Sequence, residues 1–250
     1  MLHTIQADFY RLFRSKGFWI TEAILVLNIL SGVIFGVAGH AGVNTESKIP
    51  LTTEVWTGFK ALINYSASIS VTILFTIIVI TLVLGTDLTQ NLYKNSLAYG
   101  VSRTSYYFAK SAVVLTIALF QFLISYGLVF LIATLYNGLG TMPEHFLAHF
   151  GLTVLIQYLC TLAWVSIISF LLYASQSITL AFVGYFIGNI FLSLPALFFK
   201  DIDIFHFINL EFQYSLVQST TATTNTLSIA LGFILVFGFL GLATFKHKDL

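Results

Sequence analysis

Apolar residues fall in six long runs, at about 18–38, 61–84, 106–136, 150–173, 178–199 and 225–245. Each is near or above the roughly 20 residues a helix needs to cross the hydrocarbon core of a bilayer. The runs are continuous, whereas the strands of a membrane barrel alternate over about ten residues, so a barrel is excluded. The pattern predicts an all-α polytopic membrane protein with six transmembrane helices. They use so much of the 250 residues that one transmembrane domain, 1–250, is expected, with no separate soluble domain.

Ahead of the first run the period changes. Within 1–17, Leu2, Ile5, Phe9, Leu12 and Phe13 share one stripe at helical spacing, with Arg11 and Arg14 opposite. This predicts an interfacial amphipathic helix with its basic residues toward anionic lipid headgroups. The spaced apolar positions and the lack of a small-residue cleavage site exclude a signal peptide.

A long polar break runs from Thr86 to Lys110, where a plain connection needs only a few residues. Leu88/Leu92 and Tyr93/Leu97 repeat at four-residue spacing, and Gly100 follows as a turn. The break is therefore read as a short amphipathic helix offered to something outside the membrane, within a loop at 86–105.

Composition agrees: 58% of residues are apolar, 8% are charged and mean hydropathy is +0.92. Soluble proteins carry about a quarter charged residues. With the N-terminus inside, the inner segments hold Arg11, Arg14, Lys16, Lys94, Arg103, Lys110, Lys246 and Lys248, and the outer ones Lys48, Lys60 and Lys200. That asymmetry places both termini in the cytoplasm. No nucleic-acid partner is expected.

Polar side chains within the runs are sparse. Glu22, Asn28, Gln121, Gln157 and Asn189 are the candidates for a transport pathway. Intramembrane carboxylates usually face protein or water, and Glu22 is expected to pair with Arg14 or Lys16, or to line an entrance. Two G-x-x-x-G pairs, Gly32/Gly36 and Gly184/Gly188, allow close helix approach, either as a seam between two copies or within one chain. Trp56 reads as an interfacial anchor, Cys160 as a packed thiol, and 200–224 as a hairpin or re-entrant piece at the outer interface.

Glu144-His145-Phe146-Leu147-Ala148-His149 puts two histidines on one helix face, but the glutamate stands before the first histidine and a third ligand is not identifiable, so a helix start is favoured over a metal site. There is no H-E-x-x-H, no paired intramembrane carboxylate and no phosphate loop, so the chain is not read as an enzyme.

The N-terminal surface helix, the six spans and the sequence Asp87…Lys94-Asn95…Gly100-Val101-Ser102-Arg103…Lys110 resemble the permease subunits of type 2 ATP-binding cassette exporters. Among these the chain looks most like small permeases of bacteriocin or lantibiotic immunity and toxic-peptide export. The resemblance implies a bacterial cell-membrane location, a separate cytoplasmic ATPase that binds ATP and Mg, and no cofactor on this chain. It also implies a second permease copy, identical or not, and an amphipathic peptide substrate. Asp87 to Leu97 would be the coupling helix: Leu88, Leu92 and Tyr93 would fill an ATPase groove, Lys94 and Arg103 would set orientation by charge, and Asp87 and Leu97 would bound the same coupling segment. Alternatives are a membrane anchor or sensor without transport, or an exporter of a lipid or small-molecule drug.

Overall fold

The computed structural model describes residues 2–37, 39–41, 55–199 and 202–247. Glu46, Lys48, Glu54, Lys200, Asp201 and Lys248 lie outside the described residues, so part of the charge asymmetry is not placed. All regular structure among the described residues is helical. Among the described residues six helices are long and apolar enough to span a bilayer: Lys16–Phe35, Ile69–Thr89, Arg103–Asn137, Phe146–Ser175, Ile178–Phe198 and Thr220–His247. The protein is an all-α polytopic membrane protein.

Helix α1 (Leu2–Arg14) precedes α2 (Lys16–Phe35), which ends where Gly36 turns left-handed and donates its N–H to Gly32 O. The second apolar run departs from its expected bounds. It opens with α3 (Gly58–Ser66), breaks at Ala67 and Ser68, and resumes as α4 (Ile69–Ile80). A π-helical turn, Thr81–Gly85, then leads into α5 (Thr86–Thr89), so Asp87 belongs to the end of this span. After α6 (Leu92–Ala98), Ser102 caps α7 (Arg103–Asn137) by accepting the Ser105 N–H at 3.1 Å. At about 1.5 Å per residue α7 is roughly 52 Å long, well beyond the ~30 Å hydrocarbon core. Helix α8 (Phe146–Ser175) turns at a left-handed Gln176 into α9 (Ile178–Phe198), whose start Ser177 caps. Pro195 sits in the last turn of α9. A short α10 (Asp203–His206) and a 3-10 turn at Tyr214–Leu216 lead to α11 (Thr220–His247), which packs chiefly along α8.

The second span is the hub. In its apolar window 78% of residues are buried, against 28% in the first and fifth spans and 17% in the sixth. The outer spans therefore present most of their surface to lipid or to another subunit. At one end, called here the loop end, Gln176 O accepts from Thr89 Oγ1 at 3.3 Å and Gln176 Nε2 donates to Tyr93 Oη at 3.0 Å. The Tyr93 and Phe245 rings meet edge to face at 5.7 Å, so the end of α11 and the 86–103 segment share this end.

At the far end, Gly58 N donates to Gly138 O at 3.0 Å and Asn137 Nδ2 to Trp56 O at 3.1 Å. Trp56 is not an interfacial anchor: its ring is buried beside Gly32. The segment 202–219 does rest against the bundle, with Leu210 and Phe212 fully buried. Cys160 is buried in α8.

Candidate functional site

Four charged side chains from three elements meet at the loop end. Lys110, about two turns into α7, bonds both carboxylate oxygens of Asp8 on α1, at 2.7 and 2.6 Å, and also Asp87 on α5. Arg11 Nη2 reaches the other Asp87 oxygen at 2.5 Å and lies 3.9 Å from Asp8. Tyr106 Oη donates to Asp87 at 3.2 Å, and its ring stacks on Phe245 of α11. Two acids and two bases give formal neutrality, which a buried cluster requires, because an isolated ion out of water is expensive. Lys110, Asp8 and Asp87 are nearly inaccessible, while Arg11 remains 43% exposed. Burial pushes the Asp8 carboxyl above its usual range, and Lys110 offsets this only in part. Burial also opposes the charge on Arg11, but the hydrogen bond and charge of Asp87 outweigh it and hold the guanidinium above its usual value.

This cluster changes the reading of α1. Ile5, Phe9 and Leu12 pack on the protein core instead of lying in lipid, and Arg11 points into the cluster instead of toward headgroups. Phe13 and Tyr10 remain exposed, with Arg14 bonded to Tyr10 Oη.

The expected coupling helix, Asp87 to Leu97, is two helices. Asn91, left-handed at φ 55°, breaks it between α5 and α6. Asp87, Leu88 and Tyr93 are buried in this chain's own packing and are not on its outward surface. Leu92 and Leu97 are half-buried, Lys94 and Asn95 are exposed, and Tyr99 at the tip is 90% exposed. Arg103 Nη1 donates to Lys246 O at 2.7 Å, which ties the start of α7 to the end of α11. The outward surface of the segment is thus Gln90 to Gly100. Sequence reasoning missed Asp8, whose place on the polar side of an amphipathic helix looks like ordinary solvation, and it missed Tyr99, the most exposed aromatic here.

The pathway candidates do not converge as a set. Glu22 is buried on α2 and interacts with Gln121 on α7, and the described residues show no ion pair joining it to Arg14 or Lys16. Asn28 lies beside Gly39. Asn189 is buried in α9. Gln157 is consumed at the far end, where Nε2 donates to Ser66 O at 2.8 Å and Phe212 O at 2.6 Å while Tyr126 donates to Oε1. That bonding pins 202–219 to α3 and α8. The glycine pairs are used within the subunit. A Cβ on Gly184 would lie 2.4 Å from Leu171 and one on Gly188 3.4 Å from Trp164, both on α8, while Gly36 is a helix cap. His145 sits left-handed at the start of α8 with its ring 6.2 Å from that of His149, and His149 packs edge to face on Tyr214.

Residues 4–199 match the family model described as ABC-2 family transporter protein. Neither the curated proteins nor the solved structures contain a match to the chain.

Proposed function

The chain belongs to the ABC-2 family of transporter proteins, and on that premise we propose that it exports hydrophobic or amphipathic peptides across a bacterial cell membrane. As a family member it is the membrane subunit of an ATP-binding cassette transporter and not itself the ATPase. In our reading a separate cytoplasmic ATPase, binding ATP and Mg, docks on 90–100, and two permease copies form the working unit.

The observation that carries the peptide reading is the dispersal of polar groups within the spans. A sugar or ion stripped of water needs several convergent partners, since each buried polar group left without one costs about 1–3 kcal/mol. Here Gln157 is already committed to Ser66, Phe212 and Tyr126, Asn28 lies beside Gly39 and Asn189 sits in α9, so of the five candidates only Glu22 and Gln121 come near each other. Aromatic side chains, 16% of the chain, suit apolar surfaces of variable shape. The drive has a physical route. The exposed 90–100 surface is fixed through α5 to the second span, through Tyr93 to α11 and Gln176, and through Asp87 to α1 and α7. A partner that closes on ATP would move a body already bonded to four helices, a rigid-body switch.

The test is copurification and turnover. The permease should bring down an ATPase whose hydrolysis rises with a membrane-active peptide, and loss of the gene should sensitise the cell to that peptide. Stimulation by a polar solute instead, with every such peptide inert, overturns the peptide reading. Absence of any ATPase would leave a membrane anchor or sensor.

A further inference from the structure

Between α7, α8 and α11 runs an apolar groove of about 450 Å³, on the lower side of the ~300–1,000 Å³ of small-molecule sites. Its walls include Val114, Val165, Tyr173, Ile234 and Leu242, with Leu84 of the second span at its base. Phe108, Leu115, Leu235 and Phe239 also line it and are themselves exposed, so it opens on the outer, bilayer-facing side of the bundle. Tyr107 closes the loop-end part by donating to Gly238 O at 2.7 Å.

We propose that this groove holds one acyl chain of an anionic phospholipid, with the headgroup at the loop end beside Lys246. Depth, size and charge lead to that occupant. From Tyr107 to Leu115 the groove follows α7 for about 12 Å, close to the ~15 Å depth of one leaflet. Its volume matches only about one turn of a ~10 Å-wide helix, so a transmembrane helix of a second copy cannot enter it, whereas a slender chain can. At the loop end, Lys246 stands one turn beyond the lining residue Leu242, and Arg103 one turn before Tyr107, its guanidinium bonded to Lys246 O. A basic side chain at this level attracts an anionic headgroup. Glu22 does not line the groove, and the proposal does not depend on the peptide-export reading.

Gly238 provides the test, because a Cβ there meets nothing within 4 Å. Gly238→Leu therefore adds bulk at the groove wall without a clash, and removing a mid-helix glycine favours the helix. The full chain, with its ATPase if it copurifies, is reconstituted in vesicles of dioleoyl phosphatidylglycerol or dioleoyl phosphatidylcholine, extracted, and weighed by native mass spectrometry. Wild type should keep one phosphatidylglycerol per chain, and Gly238→Leu should lose it with Tm unchanged or raised. Lys246→Gln should cut the preference for phosphatidylglycerol over phosphatidylcholine by about fivefold. Equal lipid retention by wild type and Gly238→Leu overturns the proposal. So does displacement by inorganic phosphate alone, or a change in self-association as the sole effect of Gly238→Leu, which would make the groove a seam between copies.

Discussion

Lys110→Met is the sharpest probe of the charge cluster. Methionine keeps the aliphatic stem in place but removes the ammonium that bonds both Asp8 and Asp87. Lys110, Asp8 and Asp87 expose 2%, 3% and 4% of their side chains, so water cannot replace the lost partner. Removing one member of a buried ionic set costs about 3–5 kcal/mol. Undocking of α1 relieves the imbalance, because it carries Asp8 and Arg11 out together and lets water reach Asp87. A cysteine placed at Ile5, half-buried against the core, in a Cys160→Ala background reports that undocking by maleimide labelling, with rates normalised to a cysteine at the exposed Tyr99. The labelling rate at about pH 7 should rise at least roughly a hundredfold.

The pH dependence has a definite sign. Burial already raises the Asp8 pKa, and Lys110 is the largest opposing influence, so Lys110→Met raises it further. A carboxyl raised on docking stabilises the docked state fully below its undocked pKa, and that stability is lost as pH rises through the docked pKa. Acidification toward about pH 5 should therefore restore protection in Lys110→Met. Asp8→Asn combined with Lys110→Met, which leaves Arg11 with Asp87, should recover part of it at neutral pH. Protection that is unchanged in Lys110→Met, or that weakens on acidification, refutes the electrostatic reasoning.

Tyr99→Ala should lower ATPase copurification by at least about tenfold without changing Tm, as loss of an aromatic anchor does; an unchanged yield removes the tip from the contact. Gln157→Leu strands Ser66 O, Phe212 O and Tyr126 Oη, at about 1–3 kcal/mol for each buried group. It should lower Tm and speed proteolysis within 202–219, and a stable, protease-resistant variant would count against the clamp. Asn91 at φ 55° should accept Gly freely, while Asn91→Ala should destabilise by about 1 kcal/mol in thermal unfolding; equal Tm values for the two would argue against the left-handed break. Gly85→Ala places a Cβ 2.8 Å from Ile178 Cγ1, so it should impair ATPase coupling and be rescued by Ile178→Ala; failure of the rescue separates the effect from that contact.

The spans were legible because bilayer thickness fixes how long an apolar run must be, and no packing detail alters that. Facing was less legible. Leu88 and Tyr93 sit four residues from Leu92 and Leu97, as an amphipathic helix requires, but periodicity does not say which way the apolar side turns. The core of this chain competes with any partner groove for Leu88 and Tyr93, and it wins. The break at Asn91 was hidden for a related reason: asparagine is tolerated in helices, and its left-handed conformation follows from how α5 and α6 pack. Asp8 and Lys110 are 102 positions apart, so local spacing could not join them. The Trp56 reading failed because a tryptophan next to a span suits an interface as well as a core.

The cluster also constrains how a push could travel. Asp87 lies two residues beyond the Thr81–Gly85 π turn and is bonded to Arg11, Lys110 and Tyr106. Helix α1, α5 and the start of α7 therefore behave as one body, because separating any two exposes a buried charge. The hydrogen-bond ladder is loosened on the other side of Asp87, where the π turn interrupts the second span and Gly85 lets Ile178 of α9 approach. Such turns are frequent at functional sites in helices. A force applied at Lys94 to Tyr99 would then carry α1 and α7 together, and the second span would yield at 81–85. That ordering differs from a simple lever in which the whole second span tilts. A disulfide between cysteines at the half-buried Leu82 and at Gly17, where a Cβ would lie 3.2 Å from the Leu82 side chain, tests it. By fixing the π turn to the start of α2, it should abolish peptide-stimulated ATP hydrolysis while leaving the ATPase bound, and reduction should restore it. Full stimulation in the oxidised protein would show that the turn does not need to yield.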